Sequence, residues 1–308
     1  MRKRNIILAL LAIAVILAGI AGAAVFGNRA LRAYRSAREQ LDAALEKIHA
    51  VQQKVDSITP EPYVFDDSWI EKGCYIAHAF GGIDGFTYTN SLEAFQVNYS
   101  LGHRVFEVDM DYAQDDYSVL LSHHEDHWRE ITGTAPEVPY TKDSFLNSVI
   151  YEKYTPLDLS GLISILAEYP DIFIITDTKY YDRTSIIMQF SQIVREAQAI
   201  DPAILDRIVP QIYNEEMFWT LMRVYPFRSV IFTLYQTVWS SESVYDFCFR
   251  SGVRCITMPV EDVTTDILSL WKTLGIRVAV HTVNDESSAE QLFREGVDLI
   301  YTDFLCQS

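Results

Sequence analysis

Residues 104–123 read RVFEVDMDYAQDDYSVLLSH, and their spacing decides the fold. Two β-type runs, 104–109 (RVFEVD) and 119–123 (VLLSH), are separated by only nine residues. A parallel crossover needs about a dozen residues or more, so the second run returns antiparallel, as a hairpin on the first. It does not count among the strands of the main sheet. Outside the hairpin, short apolar runs at 74–77, 172–177, 208–212, 230–234, 254–258, 277–281 and 298–301 follow the same pattern as 104–109. Helix-like stretches separate them at 90–100, 158–168, 184–199, 214–225, 240–250, 262–274 and 286–295. Strand–helix alternation implies parallel strands. Eight such units within residues 60–308 have the size of a (β/α)8 TIM barrel with a β-hairpin inserted after strand 2. An open doubly wound sheet would want a Gly-rich phosphate turn after its first strand, and no GxGxxG occurs.

Upstream of this body the composition changes. Ile6–Phe26 is a run of 21 residues without a charge, preceded by Arg2, Lys3 and Arg4. At helical rise it spans roughly 30 Å, the thickness of a bilayer core. It exceeds the 7–15 apolar residues usual for a signal peptide, although Ala21, Gly22, Ala23 and Ala24 offer small-residue cleavage sites. A transmembrane anchor is expected over 1–27. Arg29, Arg32, Arg35 and Arg38 follow it, so the positive charges on its two sides nearly balance. The favoured reading places the protein in the cell membrane with its body outside the cytoplasm.

A helical stalk is expected over 28–59, ended by Thr59-Pro60-Glu61-Pro62. Leu31, Tyr34, Arg38, Leu41, Leu45, Ile48, Gln52 and Val55 fall on a heptad seam broken by Arg38 and Gln52. A coiled coil that makes a homo-oligomer and a single amphipathic helix both fit that pattern.

Charge is as unevenly spread as hydropathy. The net charge is −17, yet residues 1–59 carry nine Lys/Arg against four acids, so the body holds −22. Such a body repels a polyphosphate backbone, which argues against nucleic acid as a partner. It also repels a small phosphate ester unless a cation stands between. Four cysteines (Cys74, Cys248, Cys255, Cys306) form no CxxC pair or zinc spacing and read as buried free thiols.

Active residues of a barrel sit at the C-terminal ends of its strands. Those ends carry His78, Glu107 with Asp109, Asp177 with Lys179, Gln211 and His281, and the hairpin adds His123 and His124. Glu107 and Asp109 are two apart on a strand, so they leave the same face. Side by side in an apolar shell they need protons or a cation. With Asp177 they make an all-oxygen donor set suited to Mg2+ or Ca2+. Histidines on either side of such a cation suit displacement at phosphorus: one activates the attacking hydroxyl and the other protonates the leaving oxygen. His78 and His123 are the candidates. His49, His103 and His127 are expected to be solvated.

Several runs, in order, resemble the glycerophosphodiester phosphodiesterase family. They are Ile76-Ala77-His78 (family IAHRG), Asn90-Ser91-Leu92-Glu93-Ala94-Phe95 (family ENTLEAF) and Gly102 followed by Glu107-Val108-Asp109 (family E-x-D). Leu121-Ser122-His123, Asp177-Thr178-Lys179 (family E-x-K), His281-Thr282-Val283-Asn284 (family W-T-V-N) and 296–303 continue the similarity. The resemblance implies a divalent metal on Glu107, Asp109 and Asp177, His78 and His123 as the acid–base pair, and Lys179 as a phosphate contact. Gln211 and His281 join it as expected substrate contacts. It further implies cleavage of a glycerophosphodiester, a small molecule or an envelope polymer, to glycerol 3-phosphate and an alcohol. Attack by the glycerol 2-hydroxyl and attack by water are both open. A phospholipase-type phosphodiesterase and a non-catalytic binding module on the same fold are the alternatives. The sequence departs from the family pattern at Ala79 (Arg), Thr89 (Glu), Asp177 (Glu) and His124 (Asp). The turn before His123 is one residue longer, which leaves His123 and His124 to be told apart.

Overall fold

The computed structural model describes residues 62–235 and 239–306, together with Arg38. The expected anchor (1–27) and, apart from Arg38, the expected stalk (28–59) lie outside the described residues. Among the described residues no helix is long and apolar enough to cross a membrane.

Eight parallel strands close into a barrel. In chain order the strands are β1 (Tyr75–Ala77), β2 (Val105–Tyr112), the antiparallel β3 (Val119–Leu120), β4 (Phe173–Thr178), β5 (Ile208–Ile212), β6 (Ile231–Thr233), β7 (Cys255–Pro259), β8 (Arg277–His281) and β9 (Leu299–Thr302). Each barrel strand pairs with the next, and β9 pairs back with β1. The pairing Ala77↔Phe106 closes the ring between β1 and β2. β3 stands outside the ring, paired antiparallel to the end of β2 through Asp111↔Leu120 and Tyr112↔Val119. The architecture is the expected TIM barrel with its hairpin.

Two-residue periodicity sorts the side chains of each strand. On β2, Phe106, Val108 and Met110 face the helical shell and join the main apolar cluster. Val105 faces the barrel interior, where it meets Ile76, Ile175, Val209, Ile231, Cys255 and Ala279. Trp69, from the 3-10 turn Ser68–Lys72, packs into this inner cluster and donates its indole N–H to Ser229 Oγ at 2.7 Å. Glu107 and Asp109 share the inward face of Val105, so the apolar filling gives way to carboxylates toward the C-terminal end.

Helices cover the barrel at Leu92–Ser100, Leu159–Glu168, Arg183–Ile200, Glu215–Val224, Ser241–Ser251, Thr265–Thr273 and Glu286–Glu295. At their starts Ser91, Asp158, Asp182, Asn214, Ser240, Thr264 and Asp285 each accept a first-turn backbone N–H. Two helices not expected from the sequence, Glu125–Thr132 and Lys142–Leu146, fill the connection between β3 and Leu159. Both are short, and the first buries only Trp128 and Ile131. No disulfide joins the four cysteines, and only Cys248 and Cys255 are buried; Cys74 and Cys306 are exposed.

Candidate active site

Register brings the acids together. β2 and β4 pair with Asp109 opposite Asp177 and Glu107 opposite Ile175. Oxygen atoms of Glu107, Asp109 and Asp177 all lie within 4.8 Å of one another. They line one cavity of about 260 Å3, and His78, His123, Lys179, Gln211 and His281 line it too. The eight residues singled out by sequence therefore meet in one place.

Each carboxylate is held by the protein on one side. Asn90, buried, donates Nδ2–H to Asp109 Oδ2 at 2.9 Å and accepts the Asp109 backbone N–H on Oδ1 at 3.0 Å. Gln211 Nε2–H donates to Asp177 Oδ1 at 2.8 Å, and the Tyr213 hydroxyl donates to the same oxygen. Tyr301 hydroxyl donates to Gln211 Oε1 at 3.1 Å. Both ends of the Gln211 amide are thus engaged by protein, and it holds Asp177 in place. The Ala79 backbone N–H donates to Glu107 Oε2 at 2.8 Å. Ala79 lies in the left-handed region at φ 50° and is fully buried, so its amide, not its side chain, serves the site. Glu107 Oε1, also buried, has no partner among the described residues.

Lys179 is the resident cation. Its Nζ lies 2.5 Å from Asp109 Oδ1 and 2.6 Å from Asp177 Oδ2. Burial opposes its charge, but Asp109, Asp177 and Glu107 hold its pKa well above the ordinary value. Burial also raises Asp109, yet Lys179 and His78 outweigh it and hold Asp109 at about 2. Glu107, out of reach of Lys179's ion pairs, is pushed up to about 8 by burial and then by Asp109. Asp177 is raised, chiefly by burial. The orphaned Glu107 oxygen and the all-carboxylate donor set fit a hard divalent cation, Mg2+ or Ca2+, added to a site that one ammonium only partly neutralises.

The two histidines stand in opposite fields. His78 Nδ1 is 3.0 Å from Asp303 Oδ1, and its Nε2 is 4.0 Å from Glu107 Oε2. Burial lowers the His78 pKa, but the Asp303 hydrogen bond and the charges of Glu107 and Asp109 raise it to about 9. His123 is pushed down to about 4, by burial first and by Lys179 second. Tyr88 stands edge-on to both rings, at centroid distances of 4.5 Å to His78 and 5.4 Å to His123. His281 Nδ1 is 3.2 Å from Thr257 Oγ1, and burial followed by His78 lowers its pKa to about 4.

His124 is not an alternative strand residue. β3 ends at Leu120, and His124 caps the helix Glu125–Thr132 by accepting the His127 backbone N–H on Nδ1 at 3.0 Å. It lies outside the cavity that His123 lines. Two other histidines depart from expectation. His103 is buried, with Nε2 2.9 Å from the Leu305 carbonyl oxygen, and His127 is half-buried, 3.2 Å from the Tyr88 carbonyl oxygen.

Sequence reasoning missed Asp303, Asn284, Tyr88, Asn90, Tyr213 and Tyr301 as site residues. Asn90, Asn284 and Asp303 stood in the runs that carried the resemblance, without a role. Asn284 Nδ2–H donates to Asp303 Oδ2 at 2.7 Å, and its Oδ1 accepts the Asp303 backbone N–H at 2.7 Å. Tyr301 also lay in such a run, at 296–303, whereas Tyr213 carried no signal in sequence.

Residues 82–306 match the model of the glycerophosphoryl diester phosphodiesterase family, and the chain belongs to that family of enzymes. Solved structures agree on the fold. A protein from Silicibacter pomeroyi DSS-3 is 17% identical with a TM-score of 0.62, over 77% of this chain and 94% of its own. A glycerophosphodiester phosphodiesterase from Parabacteroides distasonis is 18% identical, TM-score 0.60, over 75% and 93%. An Oleispira antarctica phosphodiesterase in complex with the product sn-glycerol-3-phosphate is 18% identical, TM-score 0.60, over 74% and 92%. No curated protein sequence matches the chain.

Proposed function

We propose that the protein is a divalent-cation-dependent phosphodiesterase that cleaves glycerophosphodiesters to glycerol 3-phosphate and an alcohol. One observation carries this reading: two histidines with oppositely displaced pKa values line the same cavity as three buried carboxylates. Titratable groups pushed apart in this way mark the acid and the base. His123, neutral at pH 7, takes the proton from the attacking hydroxyl. His78, charged and braced by Asp303, gives a proton to the leaving alcohol oxygen. Lys179 binds a phosphoryl oxygen as a point charge. Glu107, Asp109 and Asp177 would hold Mg2+ or Ca2+, which when bound supplies charge stabilisation for the phosphoryl oxygens. Asn90, Gln211, Tyr213 and the Ala79 amide keep the three carboxylates aimed. His281 lines the substrate side of the cavity. The product bound by the Oleispira antarctica phosphodiesterase is the one this reaction releases.

The uncharged run 6–26 supports single-pass attachment to the cell membrane, with the catalytic domain outside the cytoplasm and a homo-oligomer formed through the seam at 31–55. The enzymatic reading is tested by incubating the protein with glycerophosphocholine, glycerophosphoethanolamine and glycerophosphoglycerol, with Mg2+, with Ca2+ and with chelator. Release of glycerol 3-phosphate that chelator stops is the expected result. Release that chelator leaves intact removes the cation from the mechanism.

A further inference from the structure

Beyond the catalytic carboxylates, β2 presents one more. Glu107, Asp109 and Asp111 alternate, so all three leave the same face of the strand, with Asp111 about 7 Å beyond Asp109 toward the mouth. Asp111 is only 5% exposed. It accepts the Tyr180 hydroxyl and the Tyr112 backbone N–H, each at 2.8 Å and both on Oδ1. Among the described residues it has no ion pair, since Lys179 is engaged by Asp109 and Asp177. It lines a second cavity, of about 420 Å3, with Tyr112, Tyr140, Tyr180 and Asp126. Lys179 stands on the boundary and lines both cavities. Tyr140 is 1% exposed, and its hydroxyl stands beside Asp111 and Ser122. Glu125, at the same cavity, is already neutralised by Arg129 at 2.5 Å.

We propose that this second cavity receives the cationic end of an amino alcohol esterified to the phosphate. A buried carboxylate without a counter-ion is costly, and an incoming ammonium relieves that cost. Three tyrosine rings add the negative faces that attract a cation, and the Tyr140 oxygen can accept an ammonium N–H. The interval from Asp109 to Asp111 suits a phosphoryl group at the first and an ammonium two carbons away at the second. A neutral alcohol gains nothing from these groups, and an anionic one is repelled by them. The subsite rests on the phosphodiesterase reading and makes diesters of a positively charged alcohol its preferred substrates.

The test compares kcat/KM of the full-length protein for glycerophosphoethanolamine, glycerophosphocholine and glycerophosphoglycerol, before and after Asp111→Asn. The native protein should favour both cationic substrates over the neutral one by about tenfold or more, and the ratio should fall toward unity in the variant. As a check that needs no variant, ethanolamine should inhibit glycerophosphoglycerol hydrolysis at about a tenfold lower concentration than ethylene glycol. Turnover without preference for the cationic substrates, or a preference that Asp111→Asn leaves intact, overturns the subsite alone. Failure to hydrolyse any of the three overturns the phosphodiesterase reading, and the subsite with it.

Discussion

Replacing Asp303 by Asn should disable His78 by moving one proton. Asn284 Oδ1 accepts the backbone N–H of residue 303 at 2.7 Å and the Thr302 hydroxyl at 3.0 Å. That fixes its Nδ2 toward the side-chain oxygen of residue 303, now 2.7 Å away. An asparagine in that position must then offer its carbonyl oxygen to Asn284 and its NH2 to His78 Nδ1, which is 3.0 Å from residue 303 today. His78 Nδ1 can no longer carry a proton, so the ring takes the opposite tautomer. It also loses the hydrogen bond that most raises its pKa, so that pKa falls. Proton transfer of this kind contributes about 10²–10⁴ to rate, and kcat should fall by that factor with cation affinity nearly unchanged. Adding Asn284→Asp reverses the geometry, because the new carboxylate accepts the NH2 of the introduced amide and turns its carbonyl back to His78. The double variant should recover about tenfold, the worth of a hydrogen bond. Steady-state kinetics on glycerophosphoglycerol, with cation binding by calorimetry, measures both. Full turnover in Asp303→Asn, or no recovery in the double variant, would refute the reasoning.

Glu107→Gln removes the carboxylate whose second oxygen is unpartnered among the described residues, and calorimetry should show the loss of divalent cation binding together with turnover. Without divalent cation, His78 (about 9 against an ordinary 6.5) and Glu107 (about 8 against 4.5) hold more protons folded than unfolded. Their contribution is present at low pH and lost as pH rises, so the melting temperature in chelator should fall between pH 6.5 and 9; a level or rising midpoint contradicts the assignment. His124→Ala removes a helix cap and should cost about 0.5–2 kcal/mol of stability with near-normal turnover. His123→Ala should reverse that pattern and cost about 10²–10⁴ in kcat, so comparable kcat losses in the two variants would place the wrong histidine in the cavity.

The barrel was legible because its signals are local. Nine residues between two β-type runs forbid a parallel crossover, and short apolar runs alternate with helix-like stretches along the body. The candidate site was legible where strand periodicity alone assigns a side chain, as for Glu107 and Asp109. It was not legible where a role depends on contact across the barrel. Asp303 reaches His78 over 225 positions of sequence, and Tyr301 reaches Gln211 over 90. In sequence His123 was preferred for its family-like distance to Arg129 and Gly133, with both histidines read as adjacent strand residues. The chain instead leaves the strand at Leu121, whose N–H donates to the Leu157 carbonyl, and His124 is taken up as a cap. His103 read as solvated because its partner, the Leu305 carbonyl, lies 202 positions away.

Phosphorus-31 NMR of a single glycerophosphodiester reaction tests the central claim most directly. With Mg2+ or Ca2+ present, the diester resonance should be replaced by that of glycerol 3-phosphate. The same tube with chelator, and a tube with Glu107→Gln, should keep the diester unchanged. A diester resonance that persists for the native protein with either cation, or that disappears equally in the Glu107→Gln tube, would contradict the account.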